Sequence, residues 1–336
     1  MKRSFLDLTR TELTNSLHNR RKTLRGYFFI ATATLFWGIS ATLGRAAFTG
    51  RLAGGAAVHP IDPVILAQSR TTISLLLLVP ILLLVRRNPG ALKMAWRDVA
   101  WCLVLGVLGM AASNYFYYLA IQKTSVATAI ILQYTAPVWV LLYMLARRLQ
   151  RPTFQRVVSV ALAVFGSALA IGLFSSGQIK VNTVGVIAAQ IAALSFAFYS
   201  VAAAGILKRY DRWRVLLYVL VGAVIFWQFI NPPWKIAAAH YSRDQISFMV
   251  VFAVTSILVP FSFYFGGLQF LDATKAIVTS CLEPAFSIVI AAVFLGEGLG
   301  FVQVVGIGVV LLSTILVQMP DRKKTDSRPV LVEPIE

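Results

Sequence analysis

Seven side chains fall where an otherwise apolar chain has little reason to hold them: Trp37, Arg70, Asn114, Gln133, Tyr134, Tyr199 and Glu283. Glu283 is the most demanding. It stands beside Pro284 in the run from Ala276 to Gly300, AIVTSCLEPAFSIVIAAVFLGEGLG, which is long enough to cross a bilayer. A carboxylate about two turns into such a run costs on the order of 3 kcal/mol unless it faces a partner or a wet cavity. Pro284 has no amide hydrogen, so a carbonyl one turn earlier loses its helical donor, and Pro137 does the same in an earlier run; both suit helices that bend around a cavity. Arg70, in LAQSRTTIS, is a planar cationic fork able to hold a carboxylate or phosphate, whereas Glu283 can receive an ammonium group or a proton.

Each residue also has a purely structural alternative. Arg70 either meets a ligand or is fixed by a carbonyl or by Glu283. Trp37-Gly38 is equally a place of close helix approach, Asn114 and Gln133 are equally glue between helices, and Tyr134 and Tyr199 are equally buried hydroxyls bonded to backbone. Catalysis has little support. The chain has no G-x-x-x-x-G-K-[ST] loop, its three histidines (His18, His59, His240) lie in tails or loops, and no cluster has metal-ligand spacing. Neither an enzyme activity nor a cofactor or metal is expected. Cys102 and Cys281 carry no redox or metal pattern.

The elements that must position these residues are membrane spans. Of 336 residues, 58% are hydrophobic and 13% charged, with mean hydropathy +0.76, which excludes an ordinary soluble domain. Ten apolar runs are predicted to cross a bilayer: Tyr27 to Phe48, Pro63 to Val85, Val99 to Leu119, Val126 to Ala146, Val157 to Leu173, Val184 to Leu207, Val215 to Ile230, Ile246 to Leu271, Ala276 to Leu295 and Gly300 to Met319. The seventh is short, bounded by Arg212-Trp213-Arg214 and Asn231-Pro232-Pro233.

The runs repeat. At an offset of 147 residues, Phe116, Tyr117, Gln122, Ala129, Ile130 and Pro137 fall on Phe263, Tyr264, Gln269, Ala276, Ile277 and Pro284; at 159, Gly26 and Leu35 fall on Gly185 and Leu194, and Trp37-Gly38 on Phe196-Ala197. The difference fits an insertion in the first copy, at Thr49 to Asp62. The expected organisation is a tail (1–26), a first five-helix repeat (27–173), a second (184–319) and a charged, disordered tail (320–336). Thr9 to Leu17 reads as a short amphipathic helix or as part of a disordered N-terminal tail.

A net charge of +18 raises the question of nucleic acid, but the basic residues alternate between loops and do not gather on a soluble face. Of 31 Lys and Arg, 24 fall on the side of the N-terminus, 5 on the other side, and Arg45 and Arg70 within spans. Both termini are therefore expected in the cytoplasm, with the bilayer and a small molecule as partners. An odd number of spans per copy turns the second copy upside down.

WGISATLGR from Trp37, the arginine of the second run, LEPAFSIVIAAVFLGEGL from Leu282 and the glycine-spaced final run resemble the EamA-type domains of the drug/metabolite transporter superfamily, over Gly26 to about Met319. The resemblance implies an all-α bundle of ten spans in two inverted repeats, and a central cavity that opens alternately to each side and moves amino acids or related metabolites, often outward. The first copy departs from the second in having Ala136 and Gln150 where Glu283 and Glu297 stand; Glu297 reads as a residue at an outer helix end. A secondary transporter of the inner or plasma membrane is the resulting expectation, with Glu283 as carrier if protons are coupled. Export of lipid-linked or drug-like molecules is the alternative within transport, and an embedded enzyme or scaffold the alternative outside it.

Overall fold

The helices begin where the sequence supplies a cap. In the computed structural model, which describes residues 2–48, 61–86, 92–124, 126–172, 182–295 and 300–319, the Asp62 carboxylate accepts from the Val64 and Ile65 amides. Asn182 does the same for Val184 and Gly185, Asp211 for Trp213 and Arg214, and Asp272 for Lys275. Ser242 and Gln245 close a reciprocal capping box. Each cap satisfies amides that the first turn of a helix leaves without partners.

The helices are α1 (Lys2–Phe48), α2 (Pro63–Val85), α3 (Trp96–Lys123), α4 (Val126–Gln133), α5 (Ala136–Ala146), α6 (Phe154–Ala170) and α7 (Thr183–Ile206). They continue with α8 (Arg212–Ile230), the short α9 (Pro233–Ala238), α10 (Arg243–Leu268), α11 (Ala273–Ser280), α12 (Leu282–Leu295) and α13 (Phe301–Gln318). The pairs α4–α5 and α11–α12 are broken single spans. Among the described residues nine segments are long and apolar enough to cross a membrane, and the 17-residue α6 is a tenth, shorter apolar helix. With two matching sets of five this is an all-α, ten-span membrane protein built from inverted repeats.

Three expectations change. Residues 2–26, read as a tail, continue the first helix: α1 runs 47 residues without a break, and no glycine or proline precedes Gly26. The seventh span is not the short one. Asp211 caps a turn that takes in Arg212-Trp213-Arg214, so α8 reaches 19 residues, and α6 is shorter because the chain turns at Ile171 and Gly172, the latter at φ +78°. Spans four and nine do not merely bend; they break. Residues 49–60 of the insertion, Glu297 and the C-terminal segment 320–336 lie outside the described residues.

The two copies embrace through small residues at matching positions. A Cβ on Gly26 would stand 2.7 Å from Leu271, and one on its repeat partner Gly185 would stand 2.4 Å from Thr124, itself the repeat partner of Leu271. Between α6 and α13 the backbones nearly touch: a Cβ on Gly306 would be 2.2 Å from the Ala170 amide nitrogen, and one on Gly166 would be 2.9 Å from that of Val310. In a bilayer such close approach replaces the hydrophobic effect as the source of helix association. The α2–α8 pair is held by polar groups at both ends. Gln68 donates to the Asn231 carbonyl (2.7 Å) and accepts from its amide (2.6 Å) at one face; at the other, Arg86 donates to Asp211 (3.1 Å for one of its two bonds).

Gly306→Val therefore forces backbone apart, at a cost of about 1–3 kcal/mol by the usual scale of overpacking, whereas Gly308, where an added Cβ would meet nothing within 4 Å, tolerates the same change. Thermal stability in detergent is expected to fall for Gly306→Val and to stay at wild type for Gly308→Val; equal behaviour would show that α6 and α13 are not in close contact.

Candidate functional site

Proline at the start of the second half of a broken span leaves carbonyls at the break without amide partners. The fourth span turns at Tyr134-Thr135 between α4 and α5, where the Thr135 amide bonds to the Leu132 carbonyl at 3.2 Å and its hydroxyl to the same atom at 2.6 Å. The ninth turns at Cys281, whose amide reaches the Val278 carbonyl at 3.2 Å. Residues 134 and 281 are partners at the 147-residue offset. Spans three and eight carry a second matched pair of irregularities, π-helical turns at Leu105–Ala111 and Val254–Leu258. Nothing in the residue types announces the first; the second is followed by Pro260, which leaves the Ser256 carbonyl without its helical donor. Gly106, in the first, lies where a Cβ would come 2.1 Å from the Val219 carbonyl of α8, so neighbouring backbone, not local preference, shapes that stretch.

The four irregular spans, together with α1, α2 and α7, line a cavity of about 780 Å³, the size of a small-molecule site. Its wall includes all seven residues singled out above, Trp37, Arg70, Asn114, Gln133, Tyr134, Tyr199 and Glu283, and both prolines, Pro137 and Pro284. It also includes residues the sequence reading missed, among them Ser113, Tyr117, Tyr118, Phe252, Phe261 and Gln303. Tyr117 had a signal, since it repeats as Tyr264; the others had none. The lining is symmetric in position and asymmetric in chemistry. Trp37 and Phe196, Ser40 and Tyr199, Asn114 and Phe261, Gln133 and Ser280, Tyr134 and Cys281, and Ala136 and Glu283 are repeat partners, and every member lines the cavity.

Arg70 is 9% exposed. One Nη donates to the Asn114 Oδ1 at 2.5 Å, while the Asn114 amide donates to the Met110 carbonyl at 2.7 Å beside the π turn. The guanidinium carbon lies 5.8 Å from the Tyr118 ring centre and 5.7 Å from that of Phe252, and among the described residues the buried Nε–H has no hydrogen-bond partner. Glu283 sits in the first turn of α12, where the helix dipole favours a carboxylate, near the Tyr134 hydroxyl. Arg70 and Glu283 act on each other electrostatically, yet no hydrogen bond or ion pair joins them among the described residues. The site thus presents a cationic donor, held by Asn114, and a carboxylate across shared space.

Of the remaining residues, Gln133 bonds to Ser113 at 3.5 Å, a weak contact consistent with either role. Trp37 packs edge-on to Phe261 at 5.2 Å and Phe196 at 6.2 Å and still borders the cavity. Tyr199 is 1% exposed and stacked at 5.3 Å on Phe265; among the described residues its hydroxyl has no hydrogen bond. Among the described residues no group of three His, Cys, Asp or Glu could hold a metal ion.

The wall reaches one membrane face. Gly44, Pro63, Gln122, Ile171 and Gln303 all belong to helix ends on the side away from the start of α1. At the opposite face the repeats are tied together. Asp98 accepts from Arg209 and from the Tyr210 hydroxyl, both at 2.8 Å. Asp211 accepts from Arg86 and from Arg214, the latter at 2.5 Å. Burial pushes the Asp211 carboxyl up, but these hydrogen bonds outweigh it and hold the group below its ordinary range.

A family model described as the EamA-like transporter family matches residues 24–172 and 183–319. An uncharacterized inner membrane transporter of Salmonella typhimurium is 23% identical over 68% of this chain and 76% of its own, and an uncharacterized transporter of Archaeoglobus fulgidus is 23% identical over 88% and 99%. A threonine/homoserine exporter of Escherichia coli K12 is 26% identical over 81% and 89%. A solved structure superposes with a TM-score of 0.70 at 18% identity, covering 90% of this chain and 98% of the other, which supports the fold alone.

In a Cys102→Ala, Cys281→Ala background, cysteines placed at Gln122 and Gln303 are expected to react with a membrane-impermeant maleimide from one side of the membrane. A cysteine at Arg97 is expected to react only from the other. Labelling of all three from one side would contradict the opening of the cavity.

Proposed function

The chain belongs to the EamA-like transporter family, and we propose that it is a secondary transporter exporting amino acids or related small metabolites by alternating access. The observation that carries this reading is the separation of Arg70 and Glu283 within one cavity. A zwitterion carries its own carboxylate and ammonium, and can satisfy the free Nε–H of Arg70 at one end and Glu283 at the other. Uniting the two groups in an ion pair would have left nothing for a ligand to do. The relationship to a threonine/homoserine exporter supports both the substrate class and the direction. The aromatic walls at Trp37, Phe196, Phe252 and Phe261 favour, as a second reading, an apolar drug-like molecule that would use those rings and not Arg70.

The distribution of Lys and Arg supports termini in the cytoplasm of the cell and a cavity facing outward, in the inner or plasma membrane. Glu283 is the group through which a proton gradient would act, since it can alternate between a proton and a substrate ammonium.

Arg70→Ala is expected to lower transport of a zwitterionic amino acid about tenfold to a hundredfold, the worth of one or two hydrogen bonds to a charged group, while protein abundance changes little. Parallel loss of both would assign Arg70 to structure, and unchanged transport would favour the apolar reading. Glu283→Gln keeps shape and most hydrogen bonding but removes titration. In proteoliposomes the variant is expected to exchange substrate yet fail to accumulate it under an imposed pH gradient, and unaltered pH-driven accumulation would remove Glu283 from coupling.

A further inference from the structure

Away from the cavity, at the face where α1 enters the bundle, two guanidinium groups share one aromatic ring. The Arg25 carbon lies 5.3 Å from the Phe29 ring centre and the Arg212 carbon 5.2 Å from the same point. Arg25 also lies 5.4 Å from the Phe270 ring, and Arg212 5.0 Å from that of Trp213. Arg212 is half-buried and lies against Gly266, where an added Cβ would meet its Nη1 at 2.6 Å, so its position is set by packing. The two cations repel one another. Among the described residues neither is bonded to a carboxylate, and the acids nearby are engaged elsewhere: Asp211 by Arg86 and Arg214, and Asp272 by Lys275.

Two like charges held at one ring, at a membrane boundary, with no carboxylate bonded to either among the described residues and Asp211 acting on Arg212 only through space, form a receptor for an anion with several acceptor oxygens. Leu24 and Phe28 flank Arg25 on α1 and are 55% and 64% exposed, so apolar surface runs from the cationic pair toward the hydrocarbon. We propose that Arg25, Arg212 and Phe29 form a site for the phosphate of an anionic phospholipid whose chains lie along Leu24 and Phe28. This site is independent of the cavity and of what the cavity moves. Its chemistry is that of a phosphate ester; the adjoining apolar strip assigns it to lipid in preference to a soluble phosphate.

The test is a titration of the full-length protein in neutral detergent with phosphatidylglycerol, phosphatidylcholine or inorganic phosphate, followed by melting temperature. At about one surface-charge contribution per arginine, Arg25→Gln is expected to raise the half-saturating phosphatidylglycerol concentration about fivefold, and Arg25→Gln with Arg212→Gln about thirtyfold. Arg147→Gln with Arg151→Gln, two exposed cations on the same face, is expected to change it less than twofold, and phosphatidylcholine is expected to produce no saturable shift. Equal losses in both double variants, or none in Arg25→Gln, would overturn the site. Because Arg25 is exposed, that single variant decides the question even if loss of Arg212 impairs folding. Saturation by inorganic phosphate alone, abolished by Arg25→Gln, would keep the anion site but assign it to soluble phosphate.

Discussion

A backbone amide or carbonyl inside a bilayer has no water to bond, so any departure from the α-helix at that depth must be covered by protein or open onto a wet cavity. Among the described residues the chain departs from the α-helix within four spans, through turns at Tyr134-Thr135 and Cys281 and π segments at Leu105–Ala111 and Val254–Leu258. All four regions contribute to one cavity wall, through Tyr134, Cys281, Gly109 and Ser256 among others. The cavity and the irregular backbone are therefore one feature. Regular helix surrounds it, and the lipid-facing perimeter is left to residues such as Leu84 and Phe229, 79% and 83% exposed.

Inverted duplication explains why the irregularities come in pairs, and divergence between the copies explains why the pocket has direction. A perfectly symmetric cavity would hold two equivalent half-sites. Here one copy contributes Asn114, Gln133 and Tyr134 while the other contributes Phe261, Ser280 and Cys281 at the same places. Glu283 faces a space whose repeat counterpart is lined by Ala136. Charge sits in only part of a pseudo-symmetric frame, which orients a ligand that has two unlike ends.

The spans and their pairing into repeats were legible because both rest on patterns that a bilayer imposes on residue type: long apolar runs, basic loops on one side, and shared prolines. That the candidate residues would stand out was legible for the same reason, since a polar group in an apolar run is conspicuous, and they share one cavity wall. What was not legible depends on neighbours distant in sequence. The π turn at Leu105–Ala111 carries no proline or polar mark, and it lies where Gly106 meets the carbonyl of Val219. The partner of Arg70 could not be read either: a carbonyl or Glu283 was the structural expectation, and the spans' placement gives the guanidinium to the Asn114 side chain. Arg212-Trp213-Arg214 read as a break because two arginines bound the apolar run, yet the preceding Asp211 makes the three residues a capped first turn.

The contacts between copies fall into two kinds, and the difference bears on how such a molecule can move. The α6–α13 contact is made by Gly166 and Gly306 against opposing backbone, and the α2–α8 contact is pinned at one face by Gln68 with Asn231 and at the other by Arg86 with Asp211. A helix pair fastened at both faces cannot splay at one of them without losing a buried or partly buried hydrogen bond. The spans lining the cavity are freer, because broken helices can swing about their breaks while each half keeps its own hydrogen bonds. Opening the closed face also requires separating Asp98 from Arg209 and Tyr210. Asp98 is buried, but its partner Arg209 is 61% exposed, so water can take over the arginine side of this tie, whereas the Gln68–Asn231 amides are buried on both sides and have no such substitute. The physical asymmetry between a wettable tie and a dry one places the rigid frame at α2–α8 and α6–α13, and the adaptable part at the spans whose backbone is already interrupted.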